Sequence, residues 1–192
     1  MNRESWLTNA VVHFRGLFSE RKLELPPNIS VSCGFPSKSV GKYIGECWSN
    51  DQSDGGVFEV FISPRLSTVT GEGGVLATLA HELLHVAVGV ENKHNKHFKD
   101  GMKKIGLEGK PSATVAGESL QGLINTMAAT LGDYPHKKLN LKPKPETPKV
   151  KTLIKMKCPH DGCEYIIMVK TDLAASMGVP KCPVHNEQFV EA

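Results

Sequence analysis

Residues 74–90, GVLATLAHELLHVAVGV, decide how the rest of the chain is read. The run follows a glycine-rich turn and is apolar almost all round, which predicts a helix buried inside a domain rather than one lying on its surface. Its only strongly polar residues are His81, Glu82 and His85. His81 and His85 are four apart, so on a helix they share one face and their imidazoles can converge on one ion. Three such groups on a buried apolar helix need partners, and a bound cation with its water supplies them. Two separately satisfied core histidines would still leave the carboxylate without an account.

The spacing has a chemical rationale. A catalytic zinc takes three protein ligands and keeps one position for water, whose pKa falls to roughly 7. A carboxylate beside the first ligand takes a proton from that water and later passes it to the leaving amine. Glu82 occupies that place. The residues leave the third ligand open among Glu91, His94, His97 and, further on, Glu118. In the long zinc-protease pattern a third histidine falls six residues after His85, but that position is Glu91 and the pattern's glycine position is Val88. That pattern is not followed.

Around this helix the sequence organises into two parts. The 192 residues, 40% hydrophobic, are enough for one sizeable core and a small satellite. Residues 137–157 hold eight lysines and one acid, Glu146, giving +7 within a chain of net +3, so the remainder is −4. With Pro143, Pro145 and Pro148 interrupting it, this segment predicts an extended linker kept soluble by its own charge, and an electrostatic handle for nucleic acid. The expected divisions are a first domain over 1–136, a linker over 137–151 and a small module over 152–192.

In the first domain, ESWLTNAVVHFRGLFSE (4–20) predicts an amphipathic helix with Trp6, Ala10, Phe14 and Leu17 inward and His13 at the surface or boundary. NISVSCGF, GKYIGECWS and GVFEVFISP predict three short strands, the last stopping at Pro64. Cys47 and Trp48 are expected to pack in the core. The chain's start has no apolar run of signal-peptide length, and no membrane-length stretch appears anywhere, so the expected location is cytoplasmic and no membrane partner is expected. Five cysteines, an odd number, suit metal ligation or reduced thiols better than a disulfide framework.

The last module carries a second metal argument. CPHDGC and CPVH place Cys158, Cys163, Cys182 and His185 in two short knuckles separated by 18 residues. Two close pairs of soft or imidazole donors are the arrangement of a closed tetrahedral structural zinc. A unit this small hardly buries a core of its own, so the metal holds it folded. His160 is an alternative ligand. EYIIMVKT predicts a strand and DLAASMGV a turn or short helical piece.

The run HELLH followed by HNKHFKDGMKKIGL resembles the SprT-like metallopeptidase domain, a family that includes the Spartan DNA–protein crosslink proteases and many phage and prophage proteins. The likeness to prophage members extends through IGECWS, VFISPRL, GKPSATVAGESL and LGDYPH, covering nearly the whole chain. It implies that His94 is the third ligand, opening a His-Gly-x-x-aromatic signature in which Phe98 is the helix-packing aromatic. Here Asn95 stands where that signature has glycine, and His97 is the runner-up ligand. The family commonly ends in a zinc ribbon of four cysteines; this chain departs by having His185 and a longer first knuckle.

Taken together, these readings predict an α+β chain: a small zincin-like metallopeptidase domain, with its HExxH helix packed on a short, mainly antiparallel sheet, followed by a zinc ribbon. The expected cofactors are two Zn2+, one catalytic at His81, His85 and His94 with Glu82 as general base, and one structural at Cys158, Cys163, Cys182 and His185. The expected partners are a protein or peptide substrate, which would pair with the strand at 57–62 were it at the sheet edge, and DNA through the basic linker and ribbon. The alternatives are a nucleic-acid-binding ribbon protein with an inactive metallopeptidase-like domain, and a protein that uses both metals only to hold itself together. A base at Glu82 favours the first, since a purely structural site needs no buried carboxylate.

Overall fold

Asn2 starts the first helix: its side chain accepts a hydrogen bond from the Ser5 N–H at 2.7 Å, satisfying one of the free N–H groups of the first turn. The computed structural model describes residues 1–37, 42–71, 73–141 and 152–192. The chain divides into two units, Met1–Lys142 and Pro143–Ala192. Among the described residues no helix is long and apolar enough to cross a membrane.

In the first unit α1 (Arg3–Glu20) buries Trp6, Leu7, Ala10, Val11, Phe14, Leu17 and Phe18 along one face, and His13 is exposed on the other. Three strands follow, β1 (Ile29–Cys33), β2 (Gly45–Trp48) and β3 (Phe58–Ile62), in the order β1-β3-β2. β1 runs parallel to β3 and β2 runs antiparallel to it. The sheet is therefore mixed, not mainly antiparallel. The condition set for substrate pairing with residues 57–62, that they lie at the sheet edge, is not met. β3 is central and paired on both sides, because β2 returns beside it while β1 takes the other side, and β2 is the edge strand nearest the histidines.

The buried run forms α2 (Val75–Val88), with Val75, Leu76, Leu79, Ala80, Leu83 and Leu84 wholly enclosed. α3 (Lys96–Ile105) crosses it at Gly101, where an added Cβ would lie 2.6 Å from Cδ1 of Leu84. Glycine permits that close approach, and truncating Leu84 to alanine would cost about 2–5 kcal/mol. A hairpin, β4 (Leu107–Lys110) and β5 (Ala113–Ala116), then leads into α4 (Glu118–Leu131). Trp6 Nε1 donates to Gly132 O at 3.1 Å and its ring lies 5.0 Å from that of Tyr134, which ties α1 to the end of α4. The chain stays attached to this unit through the start of the lysine-rich segment, since Leu139 N donates to Pro64 O at 2.7 Å. The remainder expected as linker, 142–151, lies outside the described residues.

The second unit holds β6 (Leu153–Lys157), β7 (Ile166–Lys170), α5 (Thr171–Met177) and β8 (Val190–Glu191), its strands antiparallel in the order β7-β6-β8. The end of the lysine-rich run, counted with the linker by its charge but placed in the second module by the expected division, is the central strand, Leu153–Lys157. Its lysines alternate outward while Ile154 and Met156 turn in, a period-two pattern hidden by the charge count. Among the described residues its enclosed core is Met156, Cys158, Cys182 and Phe189.

Candidate functional site

Three segments of the first unit bring three imidazoles together. α2 supplies His81 and His85 one turn apart on the face turned toward a cleft. The helix ends at Gly89, whose φ of +92° swings the chain through the short 3-10 turn Val90–Asn92 and back. His94 therefore returns over the helix it left. Asn95, which stands where the resemblance expects glycine, has an ordinary extended φ of −74° and caps α3, its Oδ1 accepting from His97 N at 2.9 Å. Nothing in that geometry calls for glycine.

Each of the three rings offers a nitrogen, and these atoms all lie within 4.8 Å of one another. Nε2 of His94 and Nε2 of His81 are 3.4 Å apart. Phe98 lies beneath them, wholly buried, with its ring 4.4 Å from that of His85 and 5.0 Å from those of His81 and His94. The other candidates for the third ligand, Glu91, His97 and Glu118, are exposed and are not in the cluster.

The electrostatics follow from burial. It lowers His81 to about 4, helped by His94, and His85 to about 3, helped by His81 and His94; burial also lowers His94. All three rings are thus favoured in the neutral form that ligates a metal. Buried His85 has no hydrogen-bond partner for its Nδ1, so the protein alone returns little for enclosing the ring. The donor set and this uncompensated burial fit a bound divalent ion.

Glu82, also buried, lies against β2. Burial raises its carboxyl to about 8, and the nearby Glu46 adds to the shift. Gly45 makes room for it: a Cβ there would lie 2.8 Å from Glu82 Cγ and 2.9 Å from Cδ. The histidines and Glu82 open on a cleft of about 540 Å3 that also meets Tyr43, Gly45, Cys47 and Thr114. No protein-family model, curated protein or solved structure matches the chain.

Two residues that sequence reasoning assigned no part therefore belong to the site. Gly45 lies within IGECWS, and Thr114, on β5, places its Oγ1 2.8 Å from Nδ1 of His81. A single glycine or threonine in a short strand carries no signal of such a contact. Cys47 packs partly buried against the core, whereas Trp48 faces away from it, half-buried on the outer side of the sheet.

In the second unit Cys158, Cys163, Cys182 and His185 also offer ligand atoms all within 4.8 Å of one another. His185 Nδ1 lies 3.7 Å from the Cys158 sulfur and 3.8 Å from that of Cys182. Burial raises Cys182, but the backbone N–H groups of His185 and Val184, with the side chains of His185 and Cys158, together bring it down to about 6, while burial pushes its neighbour Cys158 up to about 11. His160 is not in this cluster: its Nδ1 lies 3.0 Å from Glu187 Oε1, and its ring stacks on His185 at 3.9 Å. This second group is enclosed by its own small core, as suits a structural metal.

Proposed function

We propose that the chain is a zinc-dependent endopeptidase of zincin-like design, with a catalytic ion at His81, His85 and His94 and a structural one in a C-terminal zinc ribbon. The observation that carries this reading is the convergence of three neutral imidazoles beside a buried carboxyl, Glu82, at the wall of an open cleft. When bound, the ion supplies Lewis-acid polarisation of a carbonyl and a water of lowered pKa. The chain's own residues do the rest. Glu82, as a carboxylate, would take the proton from that water and return it to a leaving amine; in the metal-free chain burial raises its proton affinity. Gly45 leaves the space in which that carboxyl sits, and Thr114 fixes the His81 ring.

β2 gives the cleft a means of holding an extended peptide. Among the described residues its backbone pairs only with β3, and an extended peptide laid along its other side would run beside the histidines. Main-chain pairing of this kind reads backbone rather than sequence, which suits a protease of unfolded or extended segments.

DNA-bound proteins are the substrates we favour, with the ribbon as the handle. Lys155, Lys157 and Lys170 are exposed on the same outward pleat of its sheet, where Lys155 pairs with Met168 and Lys157 with Ile166. Phosphate contacts by such lysines weaken steeply with added salt. The test is cleavage of a general unfolded protein by the zinc-loaded chain, with and without DNA, beside a Glu82→Gln control. Cleavage abolished by the control and stimulated by DNA supports the whole reading. Cleavage equal in the variant removes Glu82 as the base, and cleavage indifferent to DNA removes the handle.

A further inference from the structure

Lys93 stands one residue before the third imidazole, in a backbone conformation that lysine rarely adopts. Its φ of +46° and ψ of −121° match the first central position of a II′ turn, here Asn92–Asn95, closed by Asn95 N donating to Asn92 O at 3.0 Å. Glycine fills that position at no steric cost, whereas a side chain there is strained. Two neighbours hold the turn against the strain: Nδ2 of Asn92 donates to Val88 O at 2.6 Å, and Nδ2 of Asn95 donates to Oδ1 of Asn92 at 2.9 Å. The return of the chain to His94 explains the turn but not the lysine, because glycine would make it more easily. What the lysine adds is its side chain, which lines the cleft on which the three histidines open.

Among the described residues this ammonium makes no ion pair. The cleft has two carboxyls, and both are held elsewhere: Glu82 is enclosed against Gly45, and the two oxygens of Glu46 accept from the N–H and Oγ of Ser37, each at 2.7 Å. Glu91, two residues before Lys93, folds its carboxylate over Gly89. The cleft's other lysine, Lys42, lies 5.5 Å from the centre of the Tyr43 ring. We propose that Lys93 selects substrates by binding the side-chain carboxylate of an aspartate or glutamate close to the scissile bond; the inference rests on the endopeptidase reading. An ammonium with three donors gives such a carboxylate charge-assisted hydrogen bonds, gives a neutral side chain much less, and repels a basic one. Consecutive Cα atoms are about 3.8 Å apart, so Lys93 starts beside the histidine cluster, and the residue it holds is at or next to the one whose carbonyl faces the histidines. Because Lys93 is exposed, the pair adds selectivity of about fivefold rather than an absolute requirement.

The test uses the full zinc-loaded chain carrying Glu82→Gln, so that bound peptide is not consumed. Hexapeptides blocked at both ends, with glutamate, glutamine or lysine at each of their four central positions in turn, are titrated calorimetrically. At the best position glutamate is expected to bind about fivefold tighter than glutamine. Lys93→Gly should abolish that preference at unchanged zinc content, Lys93→Arg should keep it, and Lys93→Glu should turn it toward lysine. Lys96→Gln, which removes an equal charge outside the cleft, should leave it intact. Release of strain should also make the Lys93→Gly chain melt about 2–4 °C higher. Both tryptophans, Trp6 and Trp48, lie in the first unit, so their emission follows its melting. Equal binding of glutamate and glutamine peptides at every position overturns the proposal, as does a preference that survives Lys93→Gly or is lost in Lys96→Gln. A glycine variant that melts no higher shows no strain at Lys93 and overturns it as well. The two readings fail separately. Wild-type cleavage of an unfolded protein without an acidic preference removes the role of Lys93 alone, whereas a glutamate preference in a chain that never cleaves removes the peptidase and keeps the carboxylate site.

Discussion

Thr114 Oγ1 lies 2.8 Å from Nδ1 of His81, while Nε2 of the same ring faces Nε2 of His94 at 3.4 Å. One hydroxyl on the β4–β5 hairpin thus takes up the ring nitrogen that the cluster does not use. With an ion on Nε2, Nδ1 would carry the proton and donate it to this hydroxyl, which would hold the ring in place. Thr114→Val is expected to weaken metal binding about 10- to 100-fold at unchanged fold, and Thr114→Ser to restore most of it. Competition with a metal-binding dye measures both, and equal affinity in the valine variant would contradict the role.

Gly45 makes a sharper separation between metal and base. A methyl at this position meets the Glu82 side chain, not the histidines. Gly45→Ala is therefore expected to keep its full metal complement and lose at least about tenfold in kcat, since proton transfer by a positioned group contributes about 10²–10⁴-fold. Metal analysis beside steady-state kinetics checks this; a loss confined to metal content would place the glycine elsewhere in the argument.

The metal-free chain should have its own pH signature. Glu82 is raised from 4.5 to about 8, so the folded state keeps a proton that the unfolded state has released. That stabilisation is complete below about pH 4.5 and is lost as pH rises toward 8. His81 and His85, lowered from 6.5 to about 4 and about 3, act in the opposite sense: their contribution is present above about 6.5 and is lost as pH falls. With chelator present, Tm is expected to peak near about pH 6.5 and fall on both sides. Glu82→Gln should remove the alkaline fall and leave the acid one. Thermal melts of both proteins across that range check it, and an unchanged alkaline limb in the variant would refute the assignment.

What the sequence made legible follows the strength of its periodic signals. The helices α1 and α2, the three strands of the first sheet and both metal clusters rest on residues whose type and spacing have a direct physical reading. The order of the strands does not. Which of β1, β2 and β3 is central depends on pairing between segments far apart in sequence, so the sequence left open whether β3 is an edge, and it lies between the other two. β4 and β5 carry too little alternation to announce themselves, with only Leu107 buried among their residues. β6 was masked by its charge: three outward positions, two of them lysines, concealed Ile154 and Met156 turning inward. Thr114 and Gly45 matter through single contacts across the fold, and no local pattern encodes those.

The second unit should depend on its ion. Among the described residues its enclosed core has four members, two of them cysteines of the cluster. Cys182→Ser or chelation is expected to unfold Leu153–Glu191 and leave the first unit, with its own larger core, folded. Amide exchange by NMR distinguishes the two: lost protection confined to the second unit agrees, and retained protection there would mean that the sheet stands without metal.

The most direct test of the central claim is the metal content per chain, by elemental analysis, of the wild type and of His94→Ala. Two zinc ions per chain, falling to one in the variant while the ribbon ion stays, is the predicted result. One ion in both proteins would mean that the histidines of α2 hold nothing, and that the metallopeptidase reading is wrong.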